Sequence, residues 1–167
     1  MKRVLLFCLV IISCLMLYGC DDKEEPNEEF DEISYNMPEI FKKEGNYHYS
    51  RNYNYKDDDV YCYIHLDSNE RGYYNEDKNI WFKGRINVNL NDIVSEVSEV
   101  DLGNTSALYV DVKDHERNTI DYYYGFVSSN HYYLLNIDIS SYDRELDIKN
   151  SACYKNLEEL LYSIKLK

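Results

Sequence analysis

Four stretches of this chain alternate strictly between aliphatic or aromatic residues and more polar ones. They are VYCYIHLD (60–67), ALYVDVK (107–113), IDYYYGF (120–126) and YYLLNIDI (132–139). Successive side chains of a strand point to opposite faces, so period-two patterning specifies half-buried strands. Val60, Cys62, Ile64 and Leu66 therefore share one face, and Tyr61, Tyr63, His65 and Asp67 the other. Leu108, Val110 and Val112 are expected inward, as are Ile120, Tyr122, Tyr124 and Phe126, and Tyr133, Leu135, Ile137 and Ile139. A further strand is expected around Tyr47–Tyr55, with Tyr47, Tyr49, Tyr53 and Tyr55 aligned, and another over Ile80–Val88. One-sided alternation of this kind belongs to an antiparallel sheet with one face covered.

Two helices are expected to supply the cover. Leu90, Ile93, Val94, Val97 and Val100 recur at helical spacing, with Gly103 as a stop. At the C-terminus, Leu157, Leu160, Leu161 and Ile164 form an apolar stripe. Asn156 is the expected cap, Glu159 stands three residues on, and Lys165 and Lys167 suit the negative end of the dipole. The fold class is then α+β, an antiparallel sheet packed with two helices. From about Ile80 onward the segments NLNDIVSEV, ALYVDVKD, IDYYYGFVSSNHYYLLNIDIS and LEELLYSIKLK resemble the PsbP-like α/β sandwich of some bacterial lipoproteins. That resemblance implies an architecture and carries over no functional residues.

The first residues are of another kind. Lys2 and Arg3 precede an apolar run from Val4 to Tyr18, the layout of a secretory signal. The run is shorter than the roughly 20 residues that span a bilayer. Its ending, Leu17-Tyr18-Gly19-Cys20, resembles the lipobox of bacterial prolipoproteins, although Tyr18 is bulkier than the usual residue. The resemblance implies diacylglyceryl transfer to the Cys20 thiol, cleavage after Gly19, and a mature chain held at the cell membrane facing outside the cytoplasm. At least two acyl chains on one cysteine give durable attachment, since each buried methylene contributes about 0.8 kcal/mol.

Residues 1–19 are thus expected to be a signal peptide, 20–37 an acidic tether and 38–167 a single globular domain. The tether rests on DDKEEPNEEFDEISYN, which is rich in self-repelling acids and poor in apolar residues. Without the signal, 16 basic residues face 31 acidic ones, a net charge of −15. Such a surface repels phosphates, which argues against nucleic acid as a partner. Of five cysteines, Cys8 and Cys14 lie in the signal and Cys20 takes the lipid, leaving Cys62 and Cys153. Export permits a bridge between them. Two buried thiols are the other reading.

The residues that carry common chemistries do not assemble into a motif. His48, His65, His115 and His131 lack metal-ligand spacing, and no paired Cys-x-x-Cys occurs. Asp57, Asp58 and Asp59 lack the glycine and distal glutamate of a calcium loop and read as a solvated turn. No Gly-x-Ser-x-Gly or phosphate-cradling glycine loop is present. The sequence therefore predicts neither an enzyme, nor a cofactor, nor a metal. An envelope hydrolase using carboxylates and a ligand-delivery protein for a transporter are the alternatives. Nineteen tyrosines suit a contact surface, but the abundance of asparagine, isoleucine and lysine beside them points to an AT-rich coding sequence as the source of the count. Tyr61, Tyr63, Tyr123 and Tyr132 are expected opposite the aliphatic faces. They form either a ridge for a protein or glycan partner, or the second layer of a sandwich core.

Overall fold

The computed structural model describes residues 26–71, 77–114, 116–143 and 147–167. Cys20 and the signal segment lie outside the described residues.

The alternating stretches are strands, paired antiparallel. Residues Val60–Glu70 (β5), Thr119–Val127 (β9) and His131–Ser141 (β10) lie side by side, with β10 in the middle. Residues Lys42–Asn46 (β3) and Ser50–Lys56 (β4) extend the sheet beyond β5. On the other side, Ser106–Asp114 (β8) pairs with β9 and carries the short strands Ile93–Val94 (β6) and Ser98–Asp101 (β7). The eight strands run in the order β3-β4-β5-β10-β9-β8-β6, with β7 also on β8. The edge strand β3, KKEGN, is charged and bulged, which blunts further pairing.

The first face of this sheet carries Val60, Cys62, Ile64, Leu66, Tyr133, Leu135, Ile137 and Ile139, all buried. The C-terminal helix, Ala152–Ser163 (α2), lies on it and buries Cys153, Leu157, Leu160 and Leu161. Each of the three leucines contributes about 1.5–3 kcal/mol on burial. The apolar stripe is as expected, but the cap is not. Ser151 caps the helix, its Oγ accepting from the Tyr154 N–H at 3.1 Å, and Asn156 sits inside the helix. The earlier start places Cys153 one turn before Leu157, on the buried side. There it is bonded to Cys62 of β5, Sγ to Sγ 2.04 Å with Cα atoms 6.3 Å apart.

The expected tether is corrected over its described part. Glu28–Phe30 (β1) and Ile33–Tyr35 (β2) form a hairpin, and β2 also pairs with Lys165–Leu166 (β11) in a second small sheet. Phe30, Ile33, Tyr35 and Met37 are buried against the first face. Asp31, at φ 55°, makes the tight turn. Glu32 then anchors the hairpin to the β9–β10 turn. Its carboxylate accepts from Ser128 Oγ, Asn130 Nδ2 and the Asn130 N–H, and its own N–H donates to Tyr133 Oη at 2.8 Å. These donors, led by Ser128 and Asn130, pull the Glu32 carboxyl down to about 2. Four apolar side chains and one well-served carboxylate offset the ordering entropy that the acidic composition left uncompensated.

Two further expectations are overturned between residues 77 and 101. Ile80–Val88 is not a strand, because Lys78–Lys83 is a short helix (α1) capped by Asp77, whose carboxylate accepts from the Asn79 N–H at 2.8 Å. Leu90–Val100 is not a helix but a loop followed by β6 and β7, so the first segment of the PsbP-like resemblance, NLNDIVSEV, is loop and strand. Leu90 and Ile93 are exposed there, so the helical spacing had no face to bury. Gly103, at φ 78°, serves the turn into β8. In the β3–β4 hairpin only Tyr53 is fully buried, while Tyr47 and Tyr49 stand exposed at the turn.

The sheet is also covered on both faces, not one. Leu108, Val110 and Val112 point away from Cys62 and Ile137, to the second face, where α1 covers them with Trp81 and Phe82. Gly125 makes that close approach feasible: a Cβ there would stand 2.5 Å from the Phe82 ring. The protein is α+β, a mainly antiparallel sheet structure with two helices.

Candidate functional site

α1 covers only part of the second face. Toward the β9 start and β10 end the sheet is open, and a cleft of about 500 Å³ lies there. Its floor comes from β9 and β10: Thr119 and Asp121 from one, Asp138 and Ser140 from the other. Tyr61 of β5 forms one wall. The connection between α1 and β6 forms the facing wall with Asn87, Asn89 and Asp92, and is turned by the Asn89 N–H donating to the Asp92 carboxylate at 2.6 Å. Tyr142 stands at the rim, its N–H held by the Asp59 carbonyl at 3.0 Å and its ring 5.6 Å from the Lys56 ammonium.

Asp121 and Asp138 are direct cross-strand partners. The Asp121 carboxylate accepts from the Asn136 amide at 3.3 Å. No described donor reaches the Asp138 carboxylate. Arg117, which lines the cleft, pairs with Asp114 at 3.6 Å. Burial, and then the like charge of Asp121, push the Asp138 carboxyl up to about 6. Burial also raises Asp121, with Asn136 opposing and Asp92 and Asp114 adding to the rise. Like charges facing each other across a strand pair destabilise a sheet, and among the described residues no cation pairs with either.

The same row continues across the sheet: Asn54, Tyr63, Asp138 and Asp121 stand opposite one another on β4, β5, β10 and β9. Beside it, His65 bridges to Asp67 at 3.0 Å and lies nearly parallel to Tyr63, ring centroids 6.4 Å apart. The open face is polar and aromatic rather than aliphatic.

The four tyrosines expected to form one surface are divided between two environments. Tyr61 and Tyr63 are half-buried on the open part. Tyr123 and Tyr132 are only 5% and 2% exposed, under α1, and belong to the second core. Tyr132 stacks on Trp81 at 4.7 Å. The expectation of a binding role is corrected for that pair, because α1, formed where the alternation predicts a strand, covers them. The expected aspartate turn is found: Asp57 closes it, accepting from Asp59 N–H at 2.9 Å, Val60 N–H at 2.7 Å and Tyr55 Oη at 2.8 Å. Among the described residues no three His, Cys, Asp or Glu side chains gather as metal ligands, and no helix is long and apolar enough to cross a membrane. His115 lies outside the described residues.

Asp121, Asp138, Asn87, Asn89 and Tyr142 were not singled out from the sequence. A signal existed: IDYYYG and NIDIS each place one aspartate between apolar residues in neighbouring strands. Their partnership needs the β9–β10 register.

No protein-family model matches this chain, and no curated protein does. Among solved structures, a crystal structure of a protein from Bacteroides thetaiotaomicron is similar, with a TM-score of 0.54 at 12% identity. The match covers 81% of this chain and 45% of that one. The likeness is one of fold alone, over less than half of the other protein's length.

Proposed function

We propose that this chain is an exported lipoprotein, anchored through Cys20 to the outside of a cell membrane, whose folded domain is a non-enzymatic binding module with its ligand in the cleft. The binding half is carried by the Asp121–Asp138 pair: two opposed carboxyls that raise the free energy of the fold, in an open cleft, with no ion pair to either among the described residues. Groups held against stability in a cleft mark functional sites. A ligand presenting hydrogen-bond donors relieves the pair and gains charge-assisted bonds. The compartment is supported by the Cys62–Cys153 bridge, which suits an oxidising environment, and by the lipobox ending at Cys20.

Fatty-acid labelling tests the anchor. The wild-type protein takes up label and sediments with membranes, and Cys20→Ala does neither; a labelled, membrane-bound Cys20→Ala protein overturns this half. Ligand protection tests the cleft: a bound small molecule recovered from the purified full-length protein is lost in Asp138→Ala.

A second reading, a hydrolase, is favoured by the same two acids, since a carboxyl raised to about 6 is suited to donate a proton near neutrality. Turnover of an envelope glycan or peptide by wild-type protein, abolished in Asp138→Asn, selects this reading over the first.

A further inference from the structure

Resting on the binding reading above, we propose that the cleft binds a glycan, a neutral linear saccharide whose chain follows the polar row across β9, β10, β5 and β4.

The lining determines the chemical class. Asp92, Asp114, Asp121 and Asp138 against Arg117 repel phosphorylated or acidic ligands. An aliphatic ligand leaves the floor carboxyls without donors. A simple ammonium satisfies carboxylates but leaves the Asn87 and Asn89 amides and the Thr119 and Ser140 hydroxyls unused. Those groups donate as well as accept, and a sugar hydroxyl also does both. Carboxylates that accept from two hydroxyls, amides that both give and take, and rings beside them form a set that a pyranose fits through its hydroxyl edge and its apolar C–H face.

The shape agrees. A cleft of about 500 Å³ lies within the roughly 300–1,000 Å³ usual for small-ligand sites. Beyond the cleft the polar row continues on the open sheet face, through Tyr63 on β5 and Asn54 on β4, with His65 alongside. A polymer of repeating polar units uses such a track, whereas a compact ligand uses only the deep end. Tyr61, half-buried and with only two side-chain torsions, supplies contact area at low entropic loss on binding. Tyr142, its backbone held by the Asp59 carbonyl, adds a second ring at the rim end.

An array of neutral, amino and acidic oligosaccharides, probed with the full-length protein in detergent, tests this. Neutral oligosaccharides bind, longer ones more tightly than disaccharides of the same sugar, and acidic ones do not. Tyr61→Ala and Asp138→Ala each weaken binding by about tenfold, Thr119→Ala weakens it less, and Tyr162→Ala, on the exposed side of α2, leaves it unchanged. Near-UV circular dichroism verifies that the variants are folded, and Thr119→Ala carries the test if the larger changes unfold the protein. If no saccharide binds but spermidine does, with loss in Asp138→Ala, the glycan assignment falls and the binding reading stands. If neither binds, both fall. Preference for acidic saccharides overturns the electrostatic argument.

Discussion

The two faces of the main sheet are closed by different means. The first is covered along its length by α2 and the β1-β2-β11 sheet, and a covalent bridge fixes the helix to β5. The second is covered over one part by a six-residue helix, whose Trp81 and Phe82 do most of the burying, and is open over the rest. Helices this short have little stability of their own, so α1 depends on the contact of Phe82 with Gly125. The difference teaches where each property resides: the first face holds the fold together, and the second exposes a polar floor that no folding requirement explains.

The contrast is broken most strongly on the first face. Replacing Cys62 and Cys153 together by alanine releases a loop of 91 residues and is expected to lower unfolding free energy by about 4 kcal/mol, read as a lower midpoint in chemical denaturation. On the second face, Gly125→Ala drives a methyl into the Phe82 ring and is expected to cost about 2 kcal/mol. It loosens α1, and Trp81 fluorescence shifts to the red while α2 remains helical.

The cleft responds with the opposite sign. Because Asp138 is raised from 3.8 to about 6, the folded state holds its proton more tightly than the unfolded chain. Stability from this group is therefore greatest below about pH 4 and falls as pH rises to about 6, where the penalty is complete. Asp138→Asn removes the penalty and is expected to stabilise the protein by roughly 1–2 kcal/mol at pH 7, while weakening ligand binding. Equal stability of the two proteins at pH 7 argues against a strained pair.

Glu32 gives the smallest and most local effect, and it sharpens the first-face side. Its carboxyl is lowered from 4.5 to about 2, so its contribution is present above about pH 4.5 and disappears as pH falls toward 2. Glu32→Gln is expected to abolish that part of the acid dependence and to speed amide exchange in β1 and β2 ahead of the main sheet.

Much of the first face was legible in the residues. The alternation in β5, β9 and β10 and the stripe Leu157-Leu160-Leu161-Ile164 each report burial directly, because periodicity follows from geometry. The second face was hidden by three ambiguities. The alternation in β8 is correct but does not say which face is inward, and its aliphatic side is inverted relative to β5. Ile80 and Phe82 fit a strand as well as one turn of helix, and Asp77 decides for the helix as its cap. Leu90, Ile93, Val94 and Val97 match a helical period over a loop and a two-residue strand. At the N-terminal hairpin, acidic composition masked Phe30, Ile33, Tyr35 and Met37. Of the site, Tyr61 and Tyr63 were found because they lie on a strand read correctly. Asp121 and Asp138 were not, because a pair across two strands exists only once the register is known.

The small sheet has a consequence for how the molecule is completed. Ser34 is joined to Lys165 and Ile33 to Leu166, so one of the earliest strands is zipped to one of the latest. Pairings this distant along the sequence must close a long loop before they add stability, which makes this corner of the fold slow to form.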